Sequence, residues 1–180
     1  MRHVVGAILQ FVILTLAILF LLCSMIQNFR IVGTSMEPNT HNGQYIMVNK
    51  TSYWFGRAPQ RGDVIVFRPP EAPQTTRVKR VVALPDETIE IRANGTVYVD
   101  GCQLEEQYLP AYHIGSVGSW TVPSGQYFVM GDNRSVSYDS CQAGTIPLRN
   151  VIGKAWLVVW PASDWGFAPN YVPAVEAMVK

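Results

Sequence analysis

Residues 4–26 read VVGAILQFVILTLAILFLLCSMI, a run without a charged side chain in which Gln10 is the most polar member. About 20 apolar residues suffice to cross the hydrocarbon core of a bilayer as a helix. No other feature constrains the chain as strongly, because such a run has to be buried in lipid or in another protein. A cleavable signal peptide is the rival reading, since Arg2 and His3 make a short basic start. Its apolar core would cover only about 7–15 residues and end at a small-residue cleavage site, and this stretch does neither cleanly. We read residues 1–29 as a cytoplasmic tip and uncleaved transmembrane anchor, followed by an extracytoplasmic domain over residues 30–180. The orientation signal is weak, because Arg2 and His3 precede the run and Arg30 follows it.

Composition narrows the class of that domain. Charged residues make up 15% of the chain, hydrophobic residues 48%, and the formal net charge is +1. A nucleic-acid partner would call for a basic excess or stripe, and disorder for low apolar content or long like-charge runs. Neither is found. Cys23 lies in the apolar run as a small packing residue. Cys102 and Cys141 fall in the outer domain, where an oxidising compartment permits a disulfide, but spacing alone cannot bring two sulfurs together. A disulfide and two free thiols both stay open.

After the apolar run the texture changes to short β-type stretches broken by Gly, Pro and Asn. Tyr45–Asn49, Asp63–Phe67, Arg77–Leu84, Gln126–Met130 and Val151–Trp160 are rich in Val, Ile and aromatics and predict strands. Glu87–Arg92 and Thr96–Asp100 flank Ala93-Asn94-Gly95 and predict a hairpin. The Pro-rich stretch 68–76 and the Gly/Ser-containing stretch 110–119 predict surface loops. No amphipathic helix is evident. The expected fold is mainly β: an antiparallel, strongly coiled or barrel-like sheet behind a single N-terminal helix. Near the end stand Trp156, Trp160, Trp165, Phe167 and Tyr171. Such rings suit a membrane interface; core packing is the slightly favoured reading for Trp156 and Trp160, with Trp165 and Phe167 open.

For chemistry, a serine nucleophile needs a base. The three histidines are His3, His41 and His113; the last two read as solvated surface residues, and nothing favours a triad built on them. A lysine can serve if burial brings its pKa down from about 10.4. Lys79 stands in Val78-Lys79-Arg80-Val81-Val82, where alternation puts it on the face of Val81 and Arg80 on the other. Gly33-Thr34-Ser35-Met36-Glu37-Pro38-Asn39 can hold a hydroxyl and a backbone N–H in a stiff turn. Taken singly, each segment is more often an ordinary strand or turn.

Together the segments carry a resemblance. Behind the apolar run come GTSMEPN (33–39), RGDVIVF (61–67), RVKRVVALPDE (77–87), GDNRSVSYDS (131–140) and VIGKAWLVVWP (151–161). In that order they resemble bacterial-type signal peptidase I, a family of membrane-anchored serine endopeptidases with a Ser-Lys dyad. The resemblance implies Ser35 as nucleophile and Lys79 as general base. It also implies Ser137 as the hydroxyl that orients the lysine, and Asp139 as a supporting carboxylate. The oxyanion donors would be the Ser35 N–H together with the Thr34 hydroxyl or a water. The substrates it implies are secretory preproteins, cut after small side chains at the first and third positions before the bond. The lipid bilayer is the implied setting, with the protein translocation machinery as a further candidate partner, no nucleic acid, and no metal or organic cofactor. By position, Ile31, Val32, Met36, Ile46 and Val78 are candidates to line the substrate pockets, with core packing the equal alternative for each.

Two departures stand out. Many relatives carry serine two residues before the nucleophile, where this chain has Gly33. After the Asp-Ser of the 131–140 block the family usually has an arginine that pairs with the aspartate; here it is Cys141, leaving Arg134, Arg80 or greater exposure of Asp139 to make up for it. A lysine rather than a histidine at position 79 separates the chain from archaeal and endoplasmic-reticulum relatives. Bacterial and organellar membranes stay open, and a bacterial plasma membrane is the favoured location. Two rival readings are a self-cleaving repressor, which would be soluble and carry a DNA-binding part, and an anchored but inactive binding module, which Cys141 alone favours.

Overall fold

The structure, a computed structural model, describes residues 2–110 and 115–171. It opens with a helix, α1 (Arg2–Ser24), followed by strands β1 (Ile26–Arg30), β2 (Tyr45–Asn49), β3 (Val64–Phe67) and β4 (Arg77–Ala83). Next come β5 (Thr88–Ile91), β6 (Val97–Val99), β7 (Cys102–Gln103), β8 (Gly118–Thr121) and β9 (Gln126–Met130). A one-turn helix, α2 (Ser140–Ala143), leads to β10 (Ile146–Pro147), β11 (Val151–Trp160) and β12 (Gly166–Phe167).

Side chains of α1 are described without a break only over residues 8–20; they are exposed and, apart from Gln10 and Thr15, apolar. Among the described residues no helix is long and apolar enough to cross a membrane.

The strands form two antiparallel sheets. The larger has eight strands in the order β1-β2-β11-β3-β4-β9-β10, with β12 added on β11; the smaller has the order β7-β6-β5-β8. The larger sheet stays open between its ends, β1 and β10, rather than closing into a barrel. Its central strand β3 is buried at every residue. Val64 and Val66 face one apolar cluster with Ile46, Val48, Ala155 and Val158. Ile65 and Phe67 face a second, with Val81, Tyr127, Val129 and Ile146. A two-sided core of this kind reads in sequence as an unbroken apolar run, as VIVF does. The smaller sheet caps the end of β4 and β9 through a third cluster of Val82, Phe128, Met130, Ile89, Ile91, Val97 and Val99.

The hairpin forms as expected, with Ile89 opposite Val99 and Ile91 opposite Val97. Gly95 takes φ 84° at its turn, a conformation for which glycine carries no steric cost. Three expectations need correcting. Residues 26–30 form an edge strand, with Phe29 opposite Ile46. Gly118 and Ser119, read as loop, begin β8, which pairs with β5. Trp156 and Trp160 are not core: they are 42% and 59% exposed, while Ala155 and Val158 take the inward positions of β11. Two register shifts in the β2–β11 ladder accompany this placement.

Candidate active site

The segment between β1 and β2 is a chain of turns, and its hydrogen bonds hold Ser35 in place. The Gly33 N–H donates to Asn42 Oδ1 (3.0 Å), Glu37 N–H to Thr34 O (3.2 Å) and Thr40 N–H to Met36 O (3.0 Å). Gly33 has φ 98°, where a side chain is strained, so this backbone disfavours the serine that many relatives have there. Met36, 2% exposed, anchors the turn in the core. On the far side the Asn133 N–H donates to Ser35 O (3.0 Å) and Asn133 Nδ2 to Thr34 O (3.2 Å). The turn bearing Ser35 is thereby tied to the segment 131–139. Asn133 was not picked out from the sequence, although it lies inside the GDNRSVSYDS block.

Lys79 comes from the middle of β4, opposite Ile65 of β3. Its side chain is 3% exposed, and Nζ lies 2.6 Å from Ser35 Oγ in a hydrogen bond. Burial, helped by the charge on Arg77 and opposed by Asp139 and Asp132, lowers the Lys79 pKa from 10.5 to about 8. An amine near pH 8 is neutral often enough to take a proton and acidic enough to return it. The neighbouring Arg80 turns elsewhere: it is fully buried and pairs with Asp132 through Nε (2.8 Å) and Nη2 (2.6 Å).

Ser137 and Asp139 sit beside this pair but are wired differently from the expectation. Ser137 Oγ donates to Asp139 Oδ2 (2.6 Å) and accepts from the Gly131 N–H (3.2 Å); Lys79 Nζ makes its hydrogen bond to Ser35 instead. A carboxylate is the stronger acceptor, so it holds the Ser137 proton and leaves oxygen lone pairs for other donors.

Asp139 is 5% exposed and has no arginine partner among the described residues. Arg134 pairs with Glu106 and Arg80 with Asp132, so neither replaces the missing arginine, and the aspartate has not become exposed. Its donors include Ser137 Oγ, the Gly131 N–H (3.0 Å) and, as N-cap of α2, the Cys141 N–H (3.2 Å), with the Cys141 thiol also hydrogen-bonded to it. Backbone donors of this kind stabilise a buried carboxylate without a counter-ion. The Cys141 thiol is pushed up to about 12, mainly by burial, which keeps it protonated and unreactive. All three cysteines are free.

Gly131 is where these groups converge. A Cβ there would overlap Ser137 Oγ and Ser35 O. The second contact is backbone and cannot rotate away. Gly131→Ala is expected to leave a folded protein whose cleavage rate is lower by about 10²-fold, because displacing catalytic atoms by roughly 1 Å costs about that much. Circular dichroism and the initial cleavage rate check it together.

A cleft of about 520 Å³ opens at Ser35 and Lys79. Of the proposed pocket residues it is lined by Ile31, Val32, Met36 and Val78; Ile46 is absent, being packed in the core at 1% exposure. Thr34 also lines it, and the Ser35 N–H has no acceptor among the described residues. Sequence reasoning missed Phe29, Arg77, Val136 and Tyr138 on its walls. Arg77 lies over the Tyr138 ring at 5.0 Å and pairs with Glu71 (2.6 Å). Residues 77 and 138 lie within the blocks quoted above, but only their meeting across the cleft gives them a role. His41 is exposed on the turn, and His113 lies outside the described residues.

The family model described as signal peptidase, peptidase S26, matches residues 4–160. The chain is 44% identical over 156 residues to a probable signal peptidase I-1 of Synechocystis, covering 80% of this chain and 77% of that protein. It is 34% identical over 227 residues to signal peptidase I of Mycobacterium tuberculosis, covering 94% and 74% respectively. Signal peptidase I of Pseudomonas aeruginosa is 32% identical over 206 residues, covering 86% and 72%. A solved signal peptidase I from Enterococcus faecalis aligns at 33% identity and a TM-score of 0.48, over 54% of this chain and 96% of that one. By the extent of the model match and the identity to these relatives, the chain belongs to the signal peptidase family, peptidase S26.

Proposed function

We propose that this signal peptidase removes N-terminal signal peptides from translocated preproteins with Ser35 as nucleophile and Lys79 as general base. The observation that carries the reading is the 2.6 Å contact between Lys79 Nζ and Ser35 Oγ in a buried site. Neutral Lys79 takes the Ser35 proton as Oγ attacks the scissile carbonyl, then returns it to the leaving amine. The Ser35 N–H meets the developing oxyanion, with the Thr34 hydroxyl or a water as the second donor. Water then repeats the sequence on the acyl-enzyme. Ser137 and Asp139 act by position: Asp139 holds Ser137, and both hold Gly131, whose backbone packs against the Ser35 carbonyl.

Substrate binding follows from the cleft walls. An extended chain sends alternate side chains to one side, and Ile31, Val32, Met36 and Val78 offer shallow apolar surface for small ones.

The segment before β1 is proposed as a single-pass anchor in the plasma membrane, with the sheet-forming remainder, β1 included, outside it. The support is the sequence of residues 4–26, an uncharged run in which Gln10 is the most polar member. About 20 apolar residues in succession are what a helix needs to cross a hydrocarbon core of about 30 Å. Ile8, Leu9, Phe11, Leu14, Leu16 and Phe20 of α1 are exposed apolar side chains, among which Gln10 and Thr15 are polar. Trp160, Trp165 and Phe167 add exposed rings suited to a bilayer surface. Only residues 25–34 separate α1 from Ser35, which keeps the nucleophile near the surface where a preprotein presents its cleavage site.

Incubating a preprotein with the full chain in liposomes tests the reading. A product beginning after a small residue at the signal-peptide boundary, absent with Ser35→Ala, is expected. Undiminished cleavage by Ser35→Ala would remove Ser35 from the mechanism, and an uncut preprotein would leave the chain as a binding module.

A further inference from the structure

A second cleft of about 430 Å³ lies away from Ser35 and Lys79, with none of its lining residues shared with the active-site cleft. Gln27, Lys50, Arg68, Arg149, Asn150 and Ile152 are among its walls. Three of these are cations, and no Asp or Glu lines the cleft. Among the described residues none of the three cations takes part in an ion pair, whereas Arg61, Arg77, Arg80, Arg92 and Arg134 all do. Like charges gathered without counter-ions repel one another, and an anion relieves that repulsion.

The frame of the cleft is held by backbone. The Arg68 N–H donates to Asn150 O (2.9 Å), and Asn150 Nδ2 donates back to Arg68 O (2.8 Å), joining the segments that bear Arg68 and Arg149. Val151, just after Asn150, pairs with Phe67 in the main sheet. Lys50 is placed from the other side, where its N–H donates to Met25 O (2.9 Å). Met25 is the residue that follows α1, and Gln27 lies two residues further, in β1. The cleft therefore includes Gln27, three residues after the end of α1, and lies at the end of β1 away from Arg30 and the active-site cleft.

From this placement we propose that the cleft binds the headgroup phosphate of an anionic phospholipid beside α1. The inference rests on the anchor reading of α1 and goes beyond it, since an anchor needs no headgroup site. Lys50, Arg68 and Arg149 supply positive charge, and Gln27 and Asn150 supply neutral polar groups at the rim. Ile152 gives apolar surface against which the glycerol backbone packs. A lipid held here would fix the rotation of the domain about α1 and keep the mouth of the active-site cleft at a constant height over the bilayer.

Native mass spectrometry of the full chain in detergent micelles, titrated with phosphatidylglycerol or phosphatidylcholine, tests the site. The wild type is expected to retain one phosphatidylglycerol and no phosphatidylcholine, with binding that weakens as salt rises. Arg68→Gln/Arg149→Gln is expected to hold phosphatidylglycerol roughly 30-fold more weakly, since each cation at a lipid surface contributes about fivefold. Cleavage of a soluble peptide should stay as in the wild type. Equal retention of phosphatidylglycerol by the variant overturns the site. Displacement of the lipid by millimolar glycerol phosphate at equal potency overturns the lipid assignment in favour of a free phosphate compound. Carbonate extraction of the full chain from pure phosphatidylcholine vesicles separates the two readings. Retention upholds the anchor whatever the variant does, whereas release overturns the anchor and the lipid site together.

Discussion

Lys79→Ala is expected to lower kcat/KM for preprotein cleavage by roughly 10³-fold, within the range of about 10²–10⁴ that a positioned general base contributes. The hydrogen bond from Nζ to Ser35 Oγ is the only link between the serine hydroxyl and a titratable side chain among the described residues. Removing it leaves a serine whose proton has nowhere to go. Ser35→Ala should cost at least as much, and the double variant little more than either alone, because groups that act as a unit are far from additive. The site also carries a stability cost. Burial lowers the Lys79 pKa from 10.5 to about 8, so between those values the unfolded chain binds a proton that the folded one resists. Stability then falls as pH drops from 10.5 to 8 and stays lowered below that, by about 3 kcal/mol at pH 7. Lys79→Met, similar in volume and uncharged, is expected to be inactive yet to melt at a higher temperature than the wild type at pH 7.

The second large effect is on stability. Asp132→Ala is expected to destabilise the fold by about 3–5 kcal/mol, because it strands a buried charge. The Arg80 guanidinium is 0% exposed, gives two hydrogen bonds to Asp132, and lies 4.1 Å over the Tyr108 ring. Its bonds to Gly62 O (3.0 Å) and Pro169 O (2.7 Å) would survive, but these are neutral acceptors and cannot balance a full charge. Asn39 would lose its Asp132 contact as well (2.8 Å). For a domain of this size the melting temperature should fall by on the order of 10 °C. Arg92→Ala, which breaks an ion pair with both partners about half exposed, should leave it unchanged. A thermal melt of the three proteins at one pH checks both statements.

What the sequence made legible differs from element to element for physical reasons. β2, β3, β4, β9 and β11 bury one or both faces, so each carries a dense β-branched run that shows itself. β1 is an edge strand of composition IQNFR, with one paired side, and that leaves little periodicity to read. Trp156 and Trp160 were misjudged because a large aromatic ring is compatible with either face of a strand, and only the register of β11 decides between them. At the site, Ser35 and Lys79 were unremarkable singly and gained meaning from the ordered blocks around them; their contact across 44 positions is a property of the sheet. The lost arginine at Cys141 pointed toward a weakened aspartate. Beside the Ser137 hydroxyl, the compensation includes the Gly131 and Cys141 backbone N–H, donors that every residue but proline has and that therefore leave no mark in the sequence.

The pH dependence of kcat/KM for a preprotein or peptide substrate tests the central claim most directly, since it reports the essential groups of the free enzyme. With Lys79 as the base, the rate should rise about tenfold per pH unit on the acid side, bend near pH 8 and level off above it. An acid limb that instead bends near 6.5, the ordinary histidine value, and that persists in Lys79→Ala would contradict the account.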